Sequence, residues 1–170
     1  MSIIESADLL EQAEKKFGFV PNVFKNMATM PQVLQVYLNG MGVMDQAGLT
    51  EQELQAIYLA ISAYHECSYC TASHSLLAKH TGIEPEEIQL IAEGKLPRKK
   101  RLRILITTAR WLLDNNGSCS PEELQAMESK GVTREQLYTI ITLIGLKLIS
   151  NYINKIDNTE IDSLFQDYSL

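Results

Sequence analysis

Cysteine, proline and tryptophan are scarce in this sequence, and positive charge is outweighed. The 170 residues hold three cysteines, five prolines and one tryptophan. So small and odd a cysteine count excludes the disulfide framework of a small secreted domain. Lys and Arg number 15 against 21 Asp and Glu, a net charge of −6. A nucleic-acid binder needs a dominant basic face, so no nucleic-acid partner is expected. No apolar run approaches the ~18 residues of a membrane-spanning helix, and no membrane segment is expected. The opening MSIIESADLL carries acids where an export signal places Lys or Arg, which points to a cytoplasmic protein. Apolar residues, by contrast, make up 45%, ample for a core in one domain of this length.

The punctuation is that of helix after helix. Ser2 with Glu5, Thr50 with Glu53, Ser120 with Glu123 and Thr133 with Gln136 each fit a capping box, in which two side chains satisfy the free N–H groups of a helix start. Pro21, Pro31, Pro85 and Pro121 suit the first helical turn, where a missing N–H costs nothing. Gly18, Gly82, Gly94, Gly117 and Gly131 follow periodic stretches as stops. Helices are therefore expected over 3–16, 21–29, 31–45, 50–64, 67–80, 85–93, 98–115, 121–130, 133–155 and 159–167. Residues 137–149, LYTIITLIGLKLI, are apolar almost all round. Such a helix belongs in the centre of a bundle or in a subunit interface. With no hairpin alternation, repeat or linker, the expected fold is a single all-α helical bundle over residues 1–170.

A basic run, Arg-Lys-Lys-Arg-Leu-Arg at 98–103, stands apart. It is read as the solvated start of a helix rather than an anion site, since the rest of the chain is more acidic still.

The chemistry gathers in Glu66-Cys67-Ser68-Tyr69-Cys70-Thr71-Ala72-Ser73-His74. On a helix starting near Cys67, two thiols three residues apart share a face, and His74 lies one turn beyond Cys70. Unpaired N–H groups and the positive end of the helix dipole favour thiolate in the first turn. An imidazole beside it takes up the thiol proton or supplies countercharge. Two alternatives share these residues. The cysteines serve as small apolar fillers, or Cys67, Cys70 and His74 hold zinc with His80 or Cys119 as a fourth ligand. Zinc sites usually draw ligand pairs from two elements, and no second Cys/His pair exists here, so neither metal nor cofactor is expected.

Cys-x-x-Cys-x-x-x-His with Gly82 eight residues on resembles the alkylhydroperoxidase D-like branch of the carboxymuconolactone decarboxylase family. Leu49-Thr50-Glu51-Gln52-Glu53-Leu54 through Ala63 is similar to the family helix before the cysteines, and Gly18-Phe19-Val20-Pro21-Asn22-Val23-Phe24 with Pro31 to the upstream segment of its peroxidase-related members. The resemblance spans about residues 17–94. It implies an all-helical fold assembling as a homo-oligomer, trimer or hexamer, and a thiol-dependent enzyme that reduces hydroperoxides or protein disulfides. Cys70 would be the attacking thiol, deprotonated through His74, and Cys67 would close the disulfide. A dithiol or lipoyl-type protein would restore the thiols. The family commonly places Glu twelve residues before the first cysteine; here Gln55 stands there, able to hydrogen-bond but not to take a proton. Glu51, His65 or Glu66 would then rebuild the relay, or peroxidase turnover would be weak. A non-catalytic redox sensor or a zinc-binding helical protein is the alternative.

Overall fold

The computed structural model describes residues 5–169, and among them the regular structure is helical throughout. Nine α-helices follow one another: α1 Ser6–Phe17, α2 Asn22–Met27, α3 Pro31–Met44, α4 Glu51–Tyr64, α5 Ser68–His80, α6 Pro85–Ala92, α7 Lys100–Asp114, α8 Pro121–Ser129 and α9 Arg134–Ile156. A 3₁₀ helix, Ser163–Tyr168, follows α9.

The starts are set where the capping residues stand. Thr50 with Glu53, Ser120 with Glu123 and Thr133 with Gln136 form complete boxes at α4, α8 and α9, each worth about 1 kcal/mol. The expected Ser2–Glu5 box involves Ser2, which lies outside the described residues. Pro31, Pro85 and Pro121 open α3, α6 and α8, whereas Pro21 stands one residue before α2. The expected helix over 159–167 is shorter and tighter. Asp162 accepts hydrogen bonds from the Tyr69 hydroxyl at 2.5 Å and the Asn22 N–H at 3.1 Å, which hold the chain before the 3₁₀ turn out of helix.

α4 is the innermost element, with Ala56 through Ser62 buried on every side. α5, α6, α7 and α9 pack around it. Ala56, Leu59, Ala60, Ala78, Ile88, Ile91 and Ile106 fill the space among α4, α5, α6 and α7. Leu34, Tyr37, Ile57, Ile61, Ile140 and Leu143 belong to the larger core that joins α3, α4 and α9. α3 and α9 come close at Gly40, where an added Cβ would meet Leu146 Cδ2 at 2.6 Å.

The apolar segment 137–149 thus lies on one side of α4 rather than at the centre. Leu137, Ile140, Leu143 and Leu146 face inward, while Tyr138, Ile141, Tyr152 and Ile156 remain exposed. By length and composition α9 is apolar enough to cross a membrane, contrary to the expectation that no segment reaches that size. Its inner face, however, carries buried Lys147, Ser150, Asn151 and Asn154.

The basic run at 98–103 is tied into the fold. Buried Glu87 accepts the N–H groups of Arg98 and Lys99 at 2.8 and 3.2 Å, a carboxylate at the positive end of α7 that offsets the lysines there. Arg101 pairs with the capping Glu53 at 2.6 Å and donates to the Gly131 carbonyl.

Candidate functional site

The site begins with a sharp turn between α4 and α5. Glu66 adopts a left-handed conformation, φ 51°, and the Cys67 N–H then reaches back to the Ser62 carbonyl at 3.0 Å. This turn leaves Cys67 as the N-terminal cap of α5, its Sγ accepting the Cys70 N–H at 3.3 Å. Both thiols are buried and free. They sit where the unpaired N–H groups of a helix start favour negative charge.

His74, one turn further along α5, is fully enclosed. Its ring stacks on Tyr58 of α4, centroids 5.1 Å apart. Its Nδ1 lies 2.9 Å from Gln55 Oε1, and its Nε2 lies 3.0 Å from the Nζ of Lys147. An ammonium has only donors. Nε2 therefore accepts from Lys147, and the ring proton sits on Nδ1 and is donated to Gln55. Burial, and then the charge of Lys147, push the His74 pKa well below its ordinary value. The imidazole is neutral, with both nitrogens engaged.

That geometry alters the expected arrangement, in which His74 meets the Cys70 thiol directly. Cys70 is served instead by α9. The Asn154 amide donates to Cys70 Sγ at 3.1 Å and stands 3.9 Å from Cys67 Sγ. Burial by itself raises a thiol pKa. At Cys70 the hydrogen bond from Cys67, the Lys147 charge and donors from Asn154 and Ser150 outweigh burial and bring the thiol below its ordinary value. Cys67 moves the other way, raised by its hydrogen bond to Cys70 and then by burial. The two effects give one thiolate, Cys70, and one protonated thiol, Cys67. Lys147 is 1% exposed. Burial alone would lower it, but the negative charge of Cys70 holds it above its usual value.

Of the residues singled out in the sequence, Cys67, Cys70, His74 and Gln55 come together. Glu51 is exposed in the first turn of α4 and makes no hydrogen bond to His74. Glu66 is exposed on the turn. His65 packs edge-on between Tyr64 and Tyr152, away from the imidazole of His74. Among the described residues no three His, Cys, Asp or Glu side chains converge as a metal site. His80 and Cys119, the fourth ligands that zinc would need, are both exposed. Lys147, Ser150 and Asn154 are the residues that motif reading missed. Their signal was a polar stripe at three- and four-residue steps along an otherwise apolar helix.

Cys70 opens into a cavity of about 270 Å³ whose wall is largely aromatic, with Phe17, Phe19, Phe24, Tyr37, Tyr69 and Phe165. His74, Lys147, Ser150 and Asn154 form its polar floor.

Residues 31–98 match the carboxymuconolactone decarboxylase family, a stretch running from the start of α3 past α6 and holding Gln55, both cysteines and His74. A crystal structure described as an alkylhydroperoxidase AhpD core, an uncharacterized peroxidase-related protein from Ralstonia eutropha JMP134, superposes with a TM-score of 0.81 at 22% identity, over 97% of this chain and 93% of that one. Residues 31–98 are thus similar to the carboxymuconolactone decarboxylase family, and the fold is alkylhydroperoxidase D-like. The same fold recurs in an uncharacterized peroxidase-related protein from Silicibacter sp. TM1040, with a TM-score of 0.81 at 17% identity over 95% of this chain and 86% of that one. It recurs too in the debrominase Bmp8 in complex with 2,3,4-tribromopyrrole, with a TM-score of 0.73 at 14% identity over 95% and 87%. No curated protein sequence matches the chain significantly. The α9 groups Lys147, Ser150 and Asn154 lie outside the stretch that matches this family, so the alkylhydroperoxidase D-like fold brings them to the cysteines from a distant part of the chain.

Proposed function

We propose that the protein is a thiol-dependent oxidoreductase that reduces hydroperoxides or protein disulfides through a Cys67–Cys70 dithiol/disulfide cycle. The observation that carries this reading is that a buried Cys70 and a buried ammonium, Lys147, line the same apolar cavity, with the lysine charge favouring the thiolate. A buried lysine is costly unless an anion faces it, and here the anion is the thiolate. Thiolate is the nucleophilic form of cysteine.

The steps balance without a bound cofactor. The Cys70 thiolate attacks one oxygen of a hydroperoxide, the O–O bond breaks, and the departing alkoxide takes a proton from Lys147. Cys70 is left as a sulfenic acid and the product is an alcohol. The Cys67 thiol then displaces the sulfenic oxygen, which leaves as water with the Cys67 proton, and the disulfide forms. A dithiol reductant, protein-borne or lipoyl, returns two electrons and two protons; one proton goes to Cys67 and one to Lys147, with Cys70 again a thiolate. His74 holds Lys147 in place through Nε2, while Gln55 fixes the imidazole. Lys147 thus supplies the positive charge that a carboxylate–histidine relay would otherwise have to generate, which supports Gln55 as a sufficient partner for His74.

Such a cycle needs a reducing compartment such as the cytoplasm. Assembly as a trimer or hexamer is supported by the exposed Tyr138, Ile141, Tyr152 and Ile156 of α9, a stripe of the kind that closes subunit contacts. Light scattering at micromolar concentration tests assembly, and a stable monomer refutes it. Consumption of cumene hydroperoxide in the presence of dihydrolipoamide or a thioredoxin-type donor tests the activity. Loss of turnover in Cys70→Ser and Cys67→Ser is expected, and turnover that survives both overturns the reading.

A further inference from the structure

The two thiols open on opposite sides of a shared wall. Cys70 lines the aromatic cavity, whereas Cys67 lines a separate cavity of about 270 Å³ bounded by Glu66, Ser68, Lys155, Asn158 and Thr159. Tyr69 and Asn154 line both and form the partition. One cavity is aromatic with a cationic floor; the other is polar and carries charges of both signs. We propose that reductant enters by the polar cavity and attacks Cys67, so that substrate and reductant reach the Cys67–Cys70 pair from different mouths. This rests on the dithiol cycle proposed above.

The direction of attack follows from leaving-group chemistry. When a thiolate attacks a disulfide, the sulfur that departs most readily is the one whose thiolate is best stabilised. Cys70 has the Lys147 ammonium and the Asn154 amide waiting for it. Lys147 acts on Cys67 too, but the same Asn154 amide stands 3.9 Å from Cys67 Sγ, and Cys67 is held protonated where Cys70 is not. An incoming thiolate therefore bonds to Cys67 Sγ, the Cys67–Cys70 bond breaks, and Cys70 leaves as thiolate. A second thiol then attacks the reductant's sulfur, Cys67 departs and takes up a proton, and two thiols have become one disulfide. The polar cavity fits a hydrophilic thiol presented on a compact group, and its two opposite charges, Glu66 and Lys155, suit a zwitterionic one.

The test uses the whole protein oxidised with diamide, which forms the disulfide without relying on peroxide turnover. Glutathione is added as the probe thiol, the reaction is quenched with acid, and the mixed disulfide is located by peptide mapping. Adduct at Cys67 is expected to exceed adduct at Cys70 by roughly tenfold or more, because the better leaving group departs faster. Filling the polar cavity with Ser68→Trp should lower the ratio of the glutathione reduction rate to the peroxide oxidation rate by a similar factor. Adduct mainly at Cys70, or an unchanged ratio in Ser68→Trp, overturns the proposal. So does faster reduction by dihydrolipoamide that Ser68→Trp leaves untouched, which would place reductant in the aromatic cavity. A protein that passes the glutathione test yet fails to consume any hydroperoxide refutes the peroxidase reading alone.

Discussion

Replacing Lys147 with Met removes a buried cation that acts on Cys70 while keeping most of the length of the side chain. In the native protein the thiolate is set against Lys147 and Asn154. Without the ammonium, burial is opposed only by the hydrogen bonds from Cys67, Asn154 and Ser150, and the thiol pKa rises toward its ordinary value. A thiol at the ordinary value near 8.5 is only a few per cent thiolate at pH 7. A full return to that level lowers reactivity at pH 7 by about 30-fold, and the remaining hydrogen bonds to Cys70 set the loss at or below that figure. Raising the pH should recover much of it, since the missing charge rather than the missing shape is at fault. The fold should survive: Met fills the same space, and the ion pair is lost as a pair because Cys70 protonates. The assay is the pH dependence of Cys70 alkylation by iodoacetamide, followed by mass, alongside thiolate absorbance in the ultraviolet. Circular dichroism checks that α9 remains folded. If Lys147→Met leaves the Cys70 titration where it was, the assignment of Lys147 as the thiolate's countercharge is wrong.

Three further outcomes follow from the same geometry. Asn154→Ala removes a charge-assisted hydrogen bond worth about 1.5–3 kcal/mol and should raise the Cys70 pKa by about one to two units, read from the same alkylation profile; no shift would refute the contact. His74 is buried neutral with its pKa held well down, so below its unfolded value of about 6.5 the unfolded chain binds a proton that the folded chain does not. Stability should therefore fall as pH drops through that range, by about 1.4 kcal/mol per unit from this residue. Urea melts should show the His74→Gln variant with a shallower slope, His65 supplying a smaller remainder; equal slopes would contradict a neutral His74. Gln55→Glu puts a carboxylate where Oε1 now lies 2.9 Å from Nδ1, and NMR titration should find the His74 pKa raised by about 1–3 units; an unmoved value would show that residue 55 does not govern the imidazole.

The helices were legible because their ends are written locally. Thr50 with Glu53, or Ser120 with Glu123, sit three residues apart, and Gly18 ends α1 where a left-handed residue is needed, φ 79°. The first half of the site was legible for the same reason. Cys67, Cys70 and His74 lie on one helix, and Gln55 lies on the helix that leads into it. Lys147, Ser150 and Asn154 are more than seventy positions further on, and nothing in local spacing says which face of α9 meets α5. The segment read as apolar all round carries a single charge, Lys147, and hydropathy averaging hides it. A lone lysine at an inward position, followed by Ser150, Asn151 and Asn154 at helical steps, was the available sign that this helix serves a buried anion. Direct contact between His74 and thiol was expected from spacing alone. The fold instead turns both imidazole nitrogens toward partners on other helices.

The most direct test of the account is a thiol map of the protein before and after one equivalent of hydroperoxide. All three cysteines begin as free thiols. The account predicts that oxidation links Cys67 to Cys70 within one chain, leaves the exposed Cys119 free, and is reversed by a dithiol. Three free thiols after peroxide is consumed, or a bridge that includes Cys119, would contradict it.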